Sequence, residues 1–220
     1  MKNIVILGSG AVAAELTSYI DDHNSKIDFD NRINLLGYID YKYNIETYWA
    51  KYKLKAQVLC DIDTYIPSEN EEVLLGISDI VFRNKMIELL LKKNVRMASF
   101  IHTSVIIPDT VQLGNGNIIY PFCIIGPNAV LGDFNMITSY SVISHDCIIG
   151  NGNFFSTAGV SGRINIGDNN FFGIRSTVLP HVSIGNNNLI QAGMVVDKNI
   201  KDNTTVFYRY KEQVLAIPKI

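Results

Sequence analysis

Several things are scarce in this 220-residue chain, and each scarcity narrows its function. There are three cysteines, Cys60, Cys123 and Cys147, and their spacing matches no metal-ligand pattern. A packing role and a reducing compartment are the expectation, with no metal site. Basic residues form no run. Nineteen Lys and Arg face 21 Asp and Glu, for a net charge of −2 and a pI near 6.1, which argues against a dedicated nucleic-acid binder. A long apolar segment is also missing. The start, MKNIVILGSGAVAAEL, has one Lys and an A-x-A-like end in the manner of a short signal peptide. Gly-Ser-Gly interrupts its apolar stretch and nothing longer follows, so no membrane segment and a cytoplasmic location are expected.

What the chain does have is a repeat. An aliphatic or aromatic residue returns every six positions at Ile101, Ile107, Leu113, Ile119, Ile125, Leu131, Ile137, Ile143, Ile149 and Phe155. After a one-residue slip within STAGVSGRIN it resumes at Ile166, Phe172, Val178, Ile184, Ile190 and Val196. A period of six fits neither a flat strand nor a coiled coil. Glycine often follows the apolar residue (Gly114, Gly126, Gly132, Gly150, Gly167, Gly173, Gly185), with Asn or Asp crowding the same turns (Asn115, Asp133, Asn151, Asp168, Asn186). Positive φ is expected at these turns. Four positions after the apolar residue comes a mostly small residue, as at Asn117, Cys123, Ala129, Asn135, Ser141 and Cys147. Each hexad therefore reads as a short strand plus a corner, and three hexads as one triangular coil of 18 residues. Stacked coils pair as parallel strands about 4.8 Å apart, with the repeated apolar residue on the axis. This is a parallel β-helix. The slip reads either as a distorted, ligand-hosting coil or as an indel tolerated at a corner.

The first hundred residues follow a different rule. NIVIL (3–7), LLGYID (35–40) and EVLLGI (72–77) read as buried parallel strands. GSGAVAAEL reads as a turn entering a helix. SDIVFRNKMIELLLKKN carries a helical stripe of Ile80, Met86, Ile87, Leu90 and Leu91, and VRMASFI (95–101) reads as a final strand feeding the hexads. Alternation of this kind predicts a small Rossmann-like α/β domain with a parallel sheet at 1–99, followed by the β-helix domain at 100–220. Residues 41–56 carry no clear signal. Gly8-Ser9-Gly10-Ala11-Val12-Ala13 fits G-x-G-x-x-A between a strand and a helix, where backbone N–H groups and a helix N-terminus can approach phosphate. NAD, another nucleotide, or no ligand at all are open readings of this turn. Asp40, ending the second strand, has the chemistry to accept hydrogen bonds from a ribose or a base.

With both halves in view, the whole chain resembles the two-domain hexapeptide-repeat sugar acyltransferases. These include sialic-acid O-acetyltransferases, the N-acetyltransferase of the UDP-N-acetylbacillosamine pathway, and relatives acting on nucleotide-linked 4-amino-4,6-dideoxy sugars. The resemblance is carried by Ile4–Gly10, GYID (37–40), Ile101-His102, SHDCIIGNGNF (144–154), SGRINIG (161–167) and FFGIRSTVLPHVSIG (171–185). It implies a left-handed β-helix, although the general crossover rule alone predicts the other hand. It also implies a homotrimer with the active site between subunits. The nucleotide sugar would lie between the N-terminal domain and the solenoid, with acetyl-CoA or another acyl-CoA between adjacent solenoids. His145 matches the catalytic histidine, followed by Asp146. Gly162 matches a backbone N–H at the thioester carbonyl, Gly173 and Ile174 a stretch along the pantetheine arm, and Gly8, Gly10 and Asp40 the nucleotide-sugar side.

Those roles suit the residue types. Acyl transfer from a thioester to an amine needs a base for the released proton and a donor for the oxyanion. Asp146 has the chemistry to hold the imidazole tautomer, yet neighbours on a strand point opposite ways. Of the other histidines, His181 reads as a corner residue, His102 as structural, and His23 as the end of the first helix. The chain departs from the family pattern in three places. Ala11-Val12-Ala13 replaces a glycine- and histidine-containing loop, Phe154 stands where some relatives carry a second histidine, and Phe207-Tyr208-Arg209-Tyr210-Lys211 replaces the closing segment. Arg209 and Lys211 read as a cap of the solenoid rather than as phosphate ligands. Acetyl is the default acyl group, and a longer one fits the altered turn. The leading reading is N-acylation of a nucleotide-linked amino sugar. O-acetylation of sialic acid or another sugar hydroxyl is the alternative, and a non-enzymatic nucleotide-binding module is the third.

Overall fold

The computed structural model describes residues 1–54 and 56–208, leaving out the side chains of Tyr48 and Trp49. Four parallel strands form the N-terminal sheet: β1 (Lys2–Leu7), β2 (Ile33–Asp40), β3 (Gln57–Asp61) and β4 (Glu72–Leu75), in the order β3-β2-β1-β4. The apolar run Ile4, Val5, Ile6, Leu7 is fully buried at its centre, as expected of a strand covered on both faces. Helix α1 (Ala11–Ser25) buries Ala13, Leu16, Thr17 and Ile20, an i, i+3, i+4, i+7 stripe. Helix α2 (Ile80–Lys92) buries Arg83, Met86, Ile87 and Leu90 in the same spacing, and Asp79 caps it by accepting from the Phe82 N–H. Leu91, expected in that stripe, is 49% exposed. The inward place belongs to Arg83, because the wall facing α2 is solenoid backbone, and the guanidinium donates to the Phe134 carbonyl.

Two further expectations change here. The unassigned segment 41–56 turns helical at Lys42–Asn44, Ile45–Trp49 and Ala50–Tyr52, and leads into β3, which the sequence reading lacked. VRMASFI is not one strand. Met97 makes a single bridge to Val73 at the edge of β4, and Phe100–Ile101 already belongs to the solenoid.

From residue 100 the chain winds into two-residue parallel strands stacked as three faces. The first face begins with Phe100–Ile101 and continues through Ile118–Ile119, Met136–Ile137, Phe154–Phe155, Phe171–Phe172, Leu189–Ile190 and Thr205–Val206. The second holds Ile124–Ile125, Val142–Ile143, Gly159–Val160, Thr177–Val178 and Val195–Val196. The third holds Gln112–Leu113, Val130–Leu131, Ile148–Ile149, Asn165–Ile166 and Ser183–Ile184. The hexad residues pack into one axial core, with Phe155 stacked on Phe172 at 4.6 Å between centroids. Each such burial stabilises by about 1.5–3 kcal/mol. On the outside of the first face, Ile118, Tyr120, Met136 and Phe154 join the core of the α/β domain.

The corners obey a different rule from the expected one. Positive φ falls three residues after the core residue, at Phe122, Asn128, Phe134, Tyr140, Asp146, Arg163, Asn169, Arg175, His181 and Asn187. The glycines directly after the core residue have ordinary φ, and so do the Asn and Asp beside them. Their reason is proximity. A Cβ on Gly114, Gly132, Gly150, Gly167 or Gly185 would overlap the Oδ1 of Asp133, Asn151, Asp168, Asn186 or Asp202. Each of those oxygens accepts the main-chain N–H of its counterpart one coil earlier at 2.6–2.7 Å, giving a ladder along the third–first edge.

A second ladder lies inside the same edge. Asn117, Asn135, Asn153, Asn170 and Asn188 are buried, and each side-chain oxygen accepts the main-chain N–H of the corresponding residue on the next coil. Ser99 Oγ receives the Asn117 N–H at one end, and Thr204 donates to Asn188 at the other. Asn135 Nδ2 also donates to the carbonyls of Gly132 and Gly150. The phase slip resolves to one shortened corner, Ser156–Ala158, where Thr157 has φ 47°. Strand pairing continues through it on both sides. A second shortening separates Val196 from Ile200, which bridges Ile184.

Candidate functional site

The glycine turn is set by the sheet beneath it. Gly8 has φ 114°, and a Cβ there would fall 2.7 Å from the Gly76 carbonyl at the end of β4, so only glycine fits. Asp40 holds the turn from below. Its Oδ2 accepts from Ser9 N–H at 2.8 Å and from Ser9 Oγ at 2.7 Å, and its Oδ1 accepts from Tyr41 N–H and Asn44 Nδ2. The carboxylate is therefore engaged by protein on both oxygens, where the sequence alone suggested a ligand. Gly10 differs from Gly8, because a Cβ there would meet nothing within 4 Å. It stands at the N-cap of α1, whose first turn carries no acidic residue and whose first N–H groups have no intrahelical partner. A cavity of about 360 Å³ opens above the turn, lined by Ser9, Gly10, Val12, Asn44, Ser78 and Phe82 among others.

His145, Asp146 and Gly162 come together on the second–third edge. Asp146 takes the left-handed conformation (φ 55°) that ends the corner, so the alternation of a strand does not apply. Its Oδ2 lies 2.7 Å from His145 Nδ1. Asn128, one coil earlier, donates to Oδ1 at 3.2 Å, and Arg163 stands 3.9 Å away. The hydrogen bond from His145, followed by that from Asn128, holds the Asp146 carboxyl below the usual aspartate value. The other ring nitrogen faces the next coil, where a Cβ on Gly162 would fall 2.6 Å from His145 Nε2. The flanking N–H groups of Ser161 and Arg163 donate to Val178 and His145 carbonyls, while that of Gly162 has no acceptor among the described residues. With Nδ1–H donated to a carboxylate, Nε2 carries the free lone pair. This constellation therefore presents a base and an unused backbone donor side by side. Both His145 and Asp146 are solvent-accessible.

Gly173 and Ile174 sit elsewhere, on the first–second edge. Gly173 packs against the next coil, where a Cβ would fall 2.6 Å from Ala192 N, and Ile174 is exposed. A single chain thus separates the eight expected site residues into three groups. A second cavity of about 340 Å³ lies between α1 and this first–second edge. It shares Val12 and Ser78 with the cavity over the glycine turn. Glu15, Tyr19, Tyr120, Thr138, Tyr140 and Thr157 line it, and the sequence reading had none of them. Two signals were visible: Phe154, noted as a departure from the family pattern, lines the cavity, and so does Thr157, the left-handed residue of the shortened corner, which donates its N–H to Thr138 Oγ1.

His181 is a corner residue (φ 66°). His102 is buried, with Ser104 on Nδ1 and Asp22 approaching Nε2 at 2.9 Å without an aligned hydrogen bond. Cys123 and Cys147 are buried and unpaired. Among the described residues no cluster of His, Cys, Asp and Glu has the makings of a metal site, and no helix is long and apolar enough to cross a membrane. Arg209 and Lys211 lie outside the described residues.

A left-handed parallel β-helix of hexapeptide coils, carrying a small α/β domain on its first face, defines the fold class. No family model matches the sequence, and no curated protein is detectably similar to it. Solved structures share the fold over 93% of the chain. The acetyltransferase domain of PglB from Neisseria gonorrhoeae is 15% identical, with 96% of that chain covered and a TM-score of 0.77. WeeI from Acinetobacter baumannii is 23% identical, with 96% covered and a TM-score of 0.76. A histidine-to-asparagine variant of perosamine N-acetyltransferase from Caulobacter crescentus, in complex with CoA and GDP-perosamine, is 19% identical, with 93% covered and a TM-score of 0.75.

Proposed function

We propose that this chain is an N-acyltransferase that moves an acetyl or slightly larger acyl group from acyl-CoA to the amine of a nucleotide-linked 4-amino-4,6-dideoxy sugar. The observation that carries the reading is the His145–Asp146 pair beside the unused N–H of Gly162. The fold relatives support it, since one is a perosamine N-acetyltransferase bound to CoA and GDP-perosamine and altered at a histidine. In the reaction the neutral amine attacks the thioester carbonyl. His145 Nε2 takes the amine proton, and Asp146 keeps the other ring proton on Nδ1 and stabilises the imidazolium. The Gly162 N–H receives the developing oxyanion. The intermediate collapses by breaking the C–S bond, and the thiolate of CoA leaves with the proton held by His145. The glycine turn and the N-terminus of α1 face the phosphates of the nucleotide, with Gly8 and Asp40 shaping the turn and Gly10 leaving its floor open.

A homotrimer completes the site in this proposal. The outward residues of the second face form a row of Ile106, Ile124, Val142, Gly159, Thr177 and Val195. Ile106, Ile124 and Val195 are 40–62% exposed in the single chain. Turning this face to a three-fold axis sets the first–second edge of one subunit against the second–third edge of the next. Gly173, Ile174 and the cavity beneath α1 would then meet a neighbour's His145, and acyl-CoA would lie in the seam. The division at residues 99 and 100 into a nucleotide-sugar domain and an acyltransferase domain belongs to the same proposal. So does action in the cytoplasm, which the unpaired cysteines favour.

The test follows thiol release from acetyl-CoA against UDP-, dTDP- and GDP-linked 4-amino sugars and free sialic acid. Release with one amino sugar is the expected result, and release only with sialic acid would replace N- by O-acylation. His145→Ala should lower kcat by more than about 100-fold with both substrates still bound. An unchanged kcat would remove His145 as the base.

A further inference from the structure

The cavity between α1 and the solenoid contains one buried hydroxyl that no well-aligned hydrogen bond uses. Tyr120 lines that cavity and is 2% exposed, yet its hydroxyl makes no aligned hydrogen bond among the described residues, the nearest acceptor being the carboxylate of Glu15. Its ring is fixed. It packs edge-on against Tyr19 at 4.7 Å between centroids, within the apolar cluster that joins the two halves of the chain. A buried hydroxyl left unpaired costs about 1–3 kcal/mol. Phenylalanine would fill the same space without that cost, so packing alone does not explain a tyrosine here.

The surroundings indicate what the hydroxyl is for. Burial, and after it the carboxylate of Glu15 at the mouth, push Tyr120 well above its ordinary value. It is therefore a neutral O–H at any working pH, able both to donate and to accept. Arg83 lies behind it, itself 1% exposed, with Nε and Nη2 unpartnered. The other walls are hydroxyls (Ser78, Thr138, Ser139, Ser156), the rings of Tyr140 and Phe154, and the apolar Val12 and Met136. A pocket that mixes hydroxyls and one carboxylate with aromatic and aliphatic faces suits a sugar ring, which presents hydroxyls at its rim and C–H groups on its faces. An acyl chain would match the apolar faces but leave the hydroxyls and the carboxylate unpaired.

We infer that Tyr120 is a specificity-determining residue that hydrogen-bonds a ring hydroxyl of the acceptor sugar inside this cavity. The inference rests on the proposed acyltransferase reading. A hydrogen bond made to a part of the sugar remote from the reacting amine is present in both ground and transition states. It lowers KM for the acceptor and leaves kcat in place.

The experiment is steady-state kinetics on the full-length protein and on Tyr120→Phe, using whichever member of the nucleotide-amino-sugar panel the wild type acylates. The expected result is a rise of roughly tenfold in KM for that acceptor, with kcat and KM for acetyl-CoA within twofold of wild type. The melting temperature should stay level or rise, since the substitution removes an unpaired buried hydroxyl. An acceptor lacking the contacted ring hydroxyl should lose the same factor with wild type and nothing further with Tyr120→Phe. An unmoved acceptor KM in Tyr120→Phe overturns this inference and leaves the acyltransferase reading standing. So does an equal change in the KM of both substrates, which marks a structural role. A wild type that acylates no member of the panel overturns the reading of function and this inference with it.

Discussion

A residue in the left-handed conformation at a corner does what a strand forbids, which is to let two consecutive side chains meet. Asp146 reaches His145 for that reason. The sequence motif picked out both residues, but strand alternation argued against their contact, because the corner's φ cannot be read from residue type when Asp, Arg, Phe and Tyr all occupy the same slot. The other side of the imidazole depends on a missing side chain. Gly162→Ala would set a methyl group against His145 Nε2 and displace the ring from the line of the proposed proton transfer. The expected outcome is a fall in kcat of about 100-fold, with acceptor and CoA affinities retained by isothermal titration. A kcat near wild type would show that the ring does not need its present position. Asp40 carries the opposite lesson. Its place at the end of a strand, about thirty residues beyond a glycine turn, suggested a ligand, while its neighbours Ser9, Tyr41 and Asn44 use its oxygens for the turn itself.

At the scale of the elements, the hexad repeat was readable because the core asks for one apolar residue per strand, and sixteen repetitions leave no competing period. What the repeat did not reveal was why glycine and asparagine recur. Both answers lie in the neighbouring coil, 16–19 residues away, and not in local backbone preference. The asparagine ladder is the stronger constraint. Asn135 satisfies the carbonyls of Gly132 and Gly150 and the N–H of Asn153, all in the interior of one edge. Asn135→Ala should cost on the order of 3 kcal/mol of stability, measured by equilibrium denaturation. A loss under about 1 kcal/mol would mean that the edge relaxes around the gap. Helix α2 shows the limit of periodicity, since its buried stripe includes Arg83, and Leu91, which hydrophobicity placed in that stripe, is exposed. Only the solenoid backbone packed against α2 gives the guanidinium its acceptor.

For the whole molecule, the two halves and their order were legible from period and composition, while the grouping of site residues was not. Which edge a corner belongs to depends on counting through every coil, and the shortened corner moves all later residues by one. The trimer proposal makes the second face decisive. Val142→Glu puts a charge in the middle of its row, and burying an unpaired carboxylate there is costly. The variant is expected to run as a monomer in analytical ultracentrifugation, with wild-type far-ultraviolet circular dichroism and an activity loss of more than about tenfold. A fully active monomer would relocate the site to within one chain.

The ladders bear on how such a molecule is able to vary. Both run along the third–first edge, from Ser99 and Asn115 at one end to Asp202 and Thr204 at the other. Both shortened corners lie on the remaining two edges. One edge therefore acts as a spine that counts the turns, and the other two are margins where residues can be lost without disturbing the count. His145 and Gly162 stand on one margin, and Thr157, Gly173 and Ile174 on the other. On the proposed function, the chemistry is thus written where the scaffold tolerates editing, and new specificities can be tried there while the register of the spine is kept.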